Sequence, residues 1–271
     1  MIKVAFQGER GAFSEDAVVK LLGEDIDFLP CIHLRDVFQV VLEGNVDFGV
    51  VPVENSQAGT LAETYDLLLA YPLNIFAEVI LRVSHYLMAL PGENLTSIRT
   101  IYSHPQALAQ CEEFLTKLKV EVVPSYDTAG SAKMIKEREL KGCAAIASKR
   151  AANIYGLEIL APGIENNINN YTRFFAISKE KTKPALKNKT SLVFATENVP
   201  GALYKVLGIF AVRNINLTKL ESRPSKSKPW EYVFYTDFEG HIDSEVYLEA
   251  IKELELVTTF VKVLGSYPQA E

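Results

Sequence analysis

The chain has 271 residues, enough for two domains. Apolar residues make up 48% and charged residues 23%, an ordinary globular balance that supplies a sizeable core. The formal net charge of -6, from 34 acidic against 28 basic residues, argues against a nucleic-acid binder. It does not exclude a small anionic substrate, because local charge decides that question.

The amino terminus, Met1-Ile2-Lys3-Val4-Ala5-Phe6, passes into Gln7-Gly8 without an apolar region of signal-peptide length. The most apolar long stretch, residues 67–81, is interrupted by Pro72, Asn74 and Glu78, so no membrane span is expected. Cys31, Cys111 and Cys143 are odd in number and far apart, which suits buried thiols in a reducing cytoplasm. His33, His85, His104 and His241 show no ligand spacing with one another or with the cysteines, so no metal is expected.

Residues 2–6 predict a buried strand. Gln7-Gly8-Glu9-Arg10-Gly11-Ala12-Phe13-Ser14 then leads into a helix through Val18, Leu21 and Leu22. Two glycines between strand and helix predict a tight turn with exposed N–H groups. Their spacing is not that of a dinucleotide site. A strand at 26–29, a helix at 34–42 and a strand at 48–53 complete a β-α-β-α-β unit, the signature of a parallel sheet. Glu54-Asn55-Ser56-Gln57-Ala58-Gly59-Thr60 follows, and Thr60 is the expected N-cap of a helix at 61–70.

Residues 73–90 hold two extended segments split near Arg82-Val83-Ser84. After a strand at 99–102, Ser103-His104-Pro105-Gln106 opens a helix, with Ser103 as the expected cap and Gln106 closing a capping box. Its core face is Ala107, Cys111, Phe114, Leu115 and Leu118, and Gln106 and Gln110 share a face. A strand at 120–123, a helix from Asp127-Thr128-Ala129 to about Arg138, a strand at 143–147 and a helix capped by Ser148 make a second unit. Lys149 and Arg150 in that helix's first turn oppose its dipole, which suggests either a nearby anion or a solvated pair. The polar segments 7–14, 54–60, 103–106, 127–131 and 148–150 all lie just past strand ends. Open α/β sheets bind ligands there, so two facing lobes would make a cleft for a small anion.

Asn169-Asn170-Tyr171-Thr172-Arg173-Phe174-Phe175 reads as an aromatic-rich strand joining the two units. Alternation puts Thr172 and Arg173 on opposite faces. The guanidinium must reach water, a carboxylate or an anionic ligand. Residues 179–189 carry five lysines and Pro184 and read as a linker. From Thr190 the pattern becomes strand 191–196, helix 200–212, strands 215–220 and 231–238, helix 244–254 and strand 257–264. That is β-α-β-β-α-β, the ferredoxin-like arrangement, whose sheet edges commonly pair with a second copy.

These pieces in this order resemble a prephenate dehydratase with a C-terminal ACT regulatory domain. The resemblance rests on Gln7-Gly8 with Gly11-Ala12-Phe13-Ser14, on Val51-Pro52-Val53-Glu54-Asn55-Ser56 with Gly59, and on Ser103-His104-Pro105-Gln106 with Gln110-Cys111. Asp127-Thr128-Ala129 and Thr172-Arg173-Phe174 complete it. In the tail, Pro200-Gly201-Ala202-Leu203 and Glu221-Ser222-Arg223-Pro224 resemble the family's two phenylalanine-binding motifs.

The resemblance implies a two-lobed catalytic domain like a periplasmic binding protein at 1–180, one lobe about 1–80 with 160–180 and the other 81–159. A linker at 181–189 and a regulatory domain at 190–271 would follow. It implies cofactor-free conversion of prephenate to phenylpyruvate, water and carbon dioxide. Arogenate dehydratase activity is one alternative, and an amino-acid-binding sensor without turnover is another. Thr172 would assist the leaving hydroxyl, with Glu54 as a second candidate donor if burial raises its pKa. Asn55, Ser56, Ser103, Gln106, Gln110, Thr128, Arg173 and Phe174 would surround the substrate, with Arg173 as anchor or anion clamp. Gly201, Ala202, Leu203, Leu217, Glu221, Ser222, Arg223 and Pro224 would serve phenylalanine, the inhibitor. A homodimer or homotetramer through both domains, in the cytoplasm, is expected.

Overall fold

The computed structural model describes residues 1–225 and 231–270. The chain forms two compact units. One combines Met1–Thr64 with Val79–Phe174, the other Tyr65–Glu78 with Phe175–Glu271. The elements run β1 (Ile2–Gln7), α1 (Phe13–Leu22), β2 (Ile26–Cys31), α2 (Leu34–Glu43), β3 (Phe48–Asn55), β4 (Gly59–Thr60), α3 (Ala62–Ala70), β5 (Asn74–Arg82) and β6 (Tyr86–Ala89). Then come β7 (Thr100–Ser103), α4 (Pro105–Gln110), α5 (Glu112–Leu118), β8 (Glu121–Pro124), α6 (Thr128–Glu137), β9 (Cys143–Ala147), α7 (Lys149–Tyr155), β10 (Glu158–Ala161) and β11 (Tyr171–Ser178). The last are β12 (Asn188–Ala195), α8 (Ala202–Ala211), β13 (Leu217–Pro224), β14 (Tyr232–Glu239), α9 (Glu245–Val257) and β15 (Phe260–Pro268).

The first sheet has the order β2-β1-β3-β11-β5, with β4 paired to β3. β1 is parallel to both β2 and β3. Val4, Ala5 and Phe6 of β1 are all fully buried, because a parallel strand is covered on both faces. The second sheet, β10-β6-β9-β7-β8, is parallel across β9-β7-β8 and antiparallel at β6 and β10. Both βαβ units expected from the sequence are therefore present.

Three local expectations are corrected and one that was open is decided. Thr60 belongs to β4, opposite Glu54, and Leu61 intervenes before α3, so Thr60 is not its cap. The cap of α4 is His104, whose side chain accepts the N–H of Gln106, while Ser103 completes β7. The helix after it breaks at Cys111, since Asn166 reaches in, donating its N–H to the Gln110 carbonyl and accepting that of Glu113. The anion near the first turn of α7 is the protein's own. Arg150 pairs with Asp16 at 2.7 Å and Glu24 at 2.9 Å. The edge strand β10 had no counterpart among the predicted elements.

In the second unit the sheet order is β13-β14-β12-β15, the antiparallel order of a ferredoxin-like fold. α8 and α9 cover one face over Leu192, Phe194, Val206, Phe210, Phe238 and Leu254. The opposite face carries Tyr235 and Tyr267. They meet the rings of Tyr65 and Phe175 at centroid distances of 4.8 and 5.5 Å. Segment 65–78 thus closes a face that a small sheet would otherwise leave open.

Candidate active site

A cavity of about 340 Å³ lies in the first unit, within the size range of small-ligand sites. Its wall combines the β1–α1 turn (Gln7, Gly8, Glu9, Phe13, Ser14) with Pro52 and Asn55 of β3, and Thr172 and Phe174 of β11. It also includes His85, His104, Gln106, Gln110, Asp127 and Thr128. Strand ends and helix starts supply most of it, as the sequence pattern predicted.

Asn55 organises the floor. Its Oδ1 accepts the N–H groups of Gln57 at 3.0 Å and Ala58 at 2.9 Å, which fixes the orientation of the amide. Its Nδ2 therefore donates, to Thr172 Oγ1 at 2.9 Å and Asn170 Oδ1 at 2.8 Å. Thr172 accepts from Asn55, and its own hydroxyl hydrogen meets no protein acceptor among the described residues. That hydrogen is available to whatever fills the cavity.

The network continues away from Thr172. Asn170 Nδ2 donates to Gln110 Oε1 at 3.1 Å, and His85 Nε2 lies 2.9 Å from the same oxygen. Because that oxygen accepts, Nε2 carries the ring proton, and Nδ1 is buried without a partner among the described residues. Burial lowers the His85 pKa from 6.5, opposed by the hydrogen bond to Gln110 and the charge of Glu165. The folded chain thus resists protonating this ring while the unfolded chain accepts a proton at about pH 6.5. Stability is expected to fall as pH drops below that value, with the unfolded state binding the extra proton. Urea titrations from pH 7.5 to 5 check this, and His85→Gln should flatten the slope.

The charged groups of the lining are Glu9 and Asp127; no lysine or arginine lines the cavity among the described residues. Both carboxylates are satisfied. Asp127 caps α6 through the N–H groups of Ala129 and Gly130 and accepts that of Glu9 at 3.1 Å. Glu9 accepts from Lys133 at 3.0 Å and from Tyr126 at 3.2 Å. Burial and these carboxylates push the Tyr126 phenol up to about 12. A bound anion would be met instead by neutral donors. Those are the side-chain amides of Gln106 and Gln110, the His104 ring N–H opposite the Nδ1 that accepts from Gln106, and the start of α1, whose cap residue Ala12 makes no side-chain cap. Among the described residues no cluster of His, Cys, Asp or Glu could hold a metal ion, and no helix is long and apolar enough to cross a membrane.

Of the expected substrate residues, Asn55, Gln106, Gln110, Thr128, Thr172 and Phe174 line the cavity together. Four others do not. Arg173 alternates away from Thr172 and pairs with Glu54 at 3.9 Å, the anchor role expected if Thr172 faces the cleft. The Glu54 side chain is 38% exposed, so the burial required of a proton donor is absent. Ser56 ties β3 to β11, accepting from Tyr171 N and donating to Asn169 O. Ser103 is fully buried and donates to the Ile146 carbonyl at 2.6 Å. His85, His104 and Asn170 were not singled out from the sequence. His104 and Asn170 stood inside quoted segments, but Asn170 and His85 gain their roles only from contacts across the chain.

In the second unit, Gly201 adopts φ 81° at the start of α8, and Leu203 and Leu217 pack on its core. Glu221 and Arg223 share one face of β13, and Ser222 and Pro224 the other.

The family model described as prephenate dehydratase matches residues 4–182, and that of the ACT domain matches residues 190–256. An Arabidopsis thaliana protein named arogenate dehydratase/prephenate dehydratase 2, chloroplastic, is 45% identical over 278 residues, covering 98% of this chain and 73% of that protein. A bifunctional chorismate mutase/prephenate dehydratase from Aquifex aeolicus is 42% identical over 271 residues, covering 99% and 74%. Among solved structures, the prephenate dehydratase of Arthrobacter aurescens in complex with L-Phe has a TM-score of 0.90 at 31% identity, covering 99% of this chain and 90% of that one. A structure described as a novel type of quorum quenching acylase has a TM-score of 0.90 at 35% identity, covering 98% and 97%. The chain belongs to the prephenate dehydratase family and carries an ACT domain after the dehydratase part.

Proposed function

We propose that this chain removes water and carbon dioxide from prephenate to give phenylpyruvate, and that phenylalanine bound to its ACT domain inhibits it. The carbon–carbon bond to the ring carboxylate breaks, its electron pair aromatises the ring, and the ring carbon–oxygen bond breaks. The departing hydroxide takes up one proton and leaves as water. Thr172 carries this reading, since its hydroxyl faces the cavity with the oxygen already engaged by Asn55 and the hydrogen available. A threonine is too weak an acid to transfer its proton outright, so it acts by a placed hydrogen bond to the leaving oxygen. Gln106, Gln110, Thr128 and Phe174 hold the ring acid, Asn55 orients Thr172, and Arg173 anchors the strand.

The likeness to the structure described as an acylase gives a second reading, amide hydrolysis. Elimination is favoured because the partner of Thr172 is an amide N–H, which cannot act as the base a nucleophile requires. Residues 1–180 are assigned the catalytic part, 181–189 the linker and 190–271 the regulatory part. A homodimer or homotetramer acting in the cytoplasm is part of the same proposal.

The test incubates the purified chain separately with prephenate and with arogenate. Phenylpyruvate is followed by ultraviolet absorbance, phenylalanine by amino-acid analysis. Turnover of prephenate supports the proposal; turnover of arogenate alone moves it to the amino analogue, and neither acid being consumed overturns it.

A further inference from the structure

Within the first unit, one buried side chain of the cavity wall has no part in the reaction as proposed. His85 is 2% exposed, and its Nδ1 meets no partner among the described residues. A buried nitrogen without a hydrogen bond costs stability, and a leucine or phenylalanine would fill the space without that cost. The residue is held in place by other means. Its backbone N–H donates to Glu165 Oε2 at 2.9 Å, and its carbonyl accepts the Ile164 N–H at 3.1 Å. The ring stands edge-on to Phe13 at a centroid distance of 5.5 Å. What the imidazole adds to an apolar side chain is one donor, Nε2, 2.9 Å from Gln110 Oε1.

The direction of the Gln110 amide is fixed from the far end of the same network. Asn55 Oδ1 is held by two backbone N–H groups, so its Nδ2 donates to Asn170 Oδ1 at 2.8 Å. Asn170 Nδ2 is then the atom that faces Gln110, and it donates to Oε1 at 3.1 Å. With His85, that oxygen receives two donors, one for each lone pair. Gln110 has no acceptor left to offer. Its Nε2 meets no acceptor among the described residues and, unlike His85 Nδ1, stays accessible. Gln110 lines the cavity, so this N–H pair is what it shows a ligand.

We infer that His85 is a positioning residue, which locks the Gln110 amide with its N–H pair toward the cavity to receive a carboxylate of the substrate. The inference rests on the reading of the substrate as a ring dicarboxylate. Without His85, one lone pair of Oε1 falls free and Asn170 alone holds the amide. The amide then rocks about its soft terminal torsion, and an oxygen turned toward the cavity repels an anion. No lysine or arginine lines the cavity among the described residues, so a bound anion depends on N–H donors such as this one. The same lock denies Gln110 to an ammonium, and the amino group of arogenate must face elsewhere.

The test is steady-state kinetics of the full chain with prephenate, or with arogenate if that is the acid consumed, and a thermal melt of each variant. His85→Leu removes the donor and keeps the bulk. It should raise KM about tenfold, the scale of one hydrogen bond to a charged group, and leave kcat within about twofold, because ground-state holding is what is lost. His85→Gln can place an N–H where Nε2 was and should bring KM back to near wild type. Gln110→Met should raise KM by itself, and adding His85→Leu should raise it no further, since His85 acts through Gln110. His85→Phe, which keeps a ring against Phe13, takes the place of His85→Leu should that variant melt early. An unchanged KM without the imidazole, or effects that multiply in the double variant, overturns the positioning role and leaves the reaction in place. A wild-type chain that consumes neither acid overturns both.

Discussion

Thr172→Ala is expected to lower kcat by about 10²- to 10³-fold, the scale of one well-placed donor to a developing oxyanion. KM should change little, because on the proposed reading Gln106 and Gln110 still hold the ground-state acid. The fold should survive. The substitution removes one small polar group from a strand whose neighbours Phe174, Phe175, Ala176 and Ile177 are buried apolar residues. Asn55 keeps its other acceptors, Asn170 Oδ1 and the Tyr171 carbonyl at 3.2 Å, so no amide hydrogen is stranded. Thr172→Ser, which keeps the hydroxyl, should recover most of the rate. Steady-state kinetics with a thermal melt on the same samples check this; wild-type kcat in the alanine variant would remove Thr172 from the mechanism.

Glu78→Ala should produce the largest loss of stability. The carboxylate is fully buried, 2.8 Å from Lys189 Nζ, and its Oε1 also accepts the Ala270 N–H at 3.0 Å. Lys189 is itself nearly buried, so truncation leaves an ammonium without its counter-charge in a poorly solvated place. Breaking such a pair from one side costs about 3–5 kcal/mol. Against a total of about 5–15 kcal/mol for a domain, that is a large fraction. The double change Glu78→Leu with Lys189→Met removes both charges at similar volume and should recover most of the loss. Urea midpoints for the two singles and the double decide it. A loss below about 1 kcal/mol in Glu78→Ala, the level of an exposed pair, would show that water reaches the ammonium.

The strand–helix alternation was legible because each strand is an apolar run and each helix carries its own apolar spacing. That Thr172 and Arg173 face opposite sides of their strand followed from alternation alone, since neighbours on one strand cannot both face a cavity; which of them faces it did not. What local pattern could not give were features decided by distant partners. Ser103 has the chemistry of a helix cap, but its hydroxyl is claimed by Ile146, 43 residues away, and His104 takes the cap. The helix expected through Cys111 breaks because Asn166 competes for its backbone. Glu54 has the chemistry of a proton donor but sits on the Arg173 side of the strands. The Asn55–Asn170–Gln110–His85 chain joins residues separated by 115, 60 and 25 positions, and no periodicity announces such contacts.

Elimination by this chain depends on where one hydroxyl points. A crystal structure of this chain with a ring dicarboxylate that cannot eliminate, soaked into the cavity, measures it directly. Thr172 Oγ1 should lie within about 3 Å of the leaving-group oxygen, with Asn55 still donating to Thr172 from behind. A ligand seated elsewhere, or a Thr172 hydroxyl turned away from that oxygen, would contradict it.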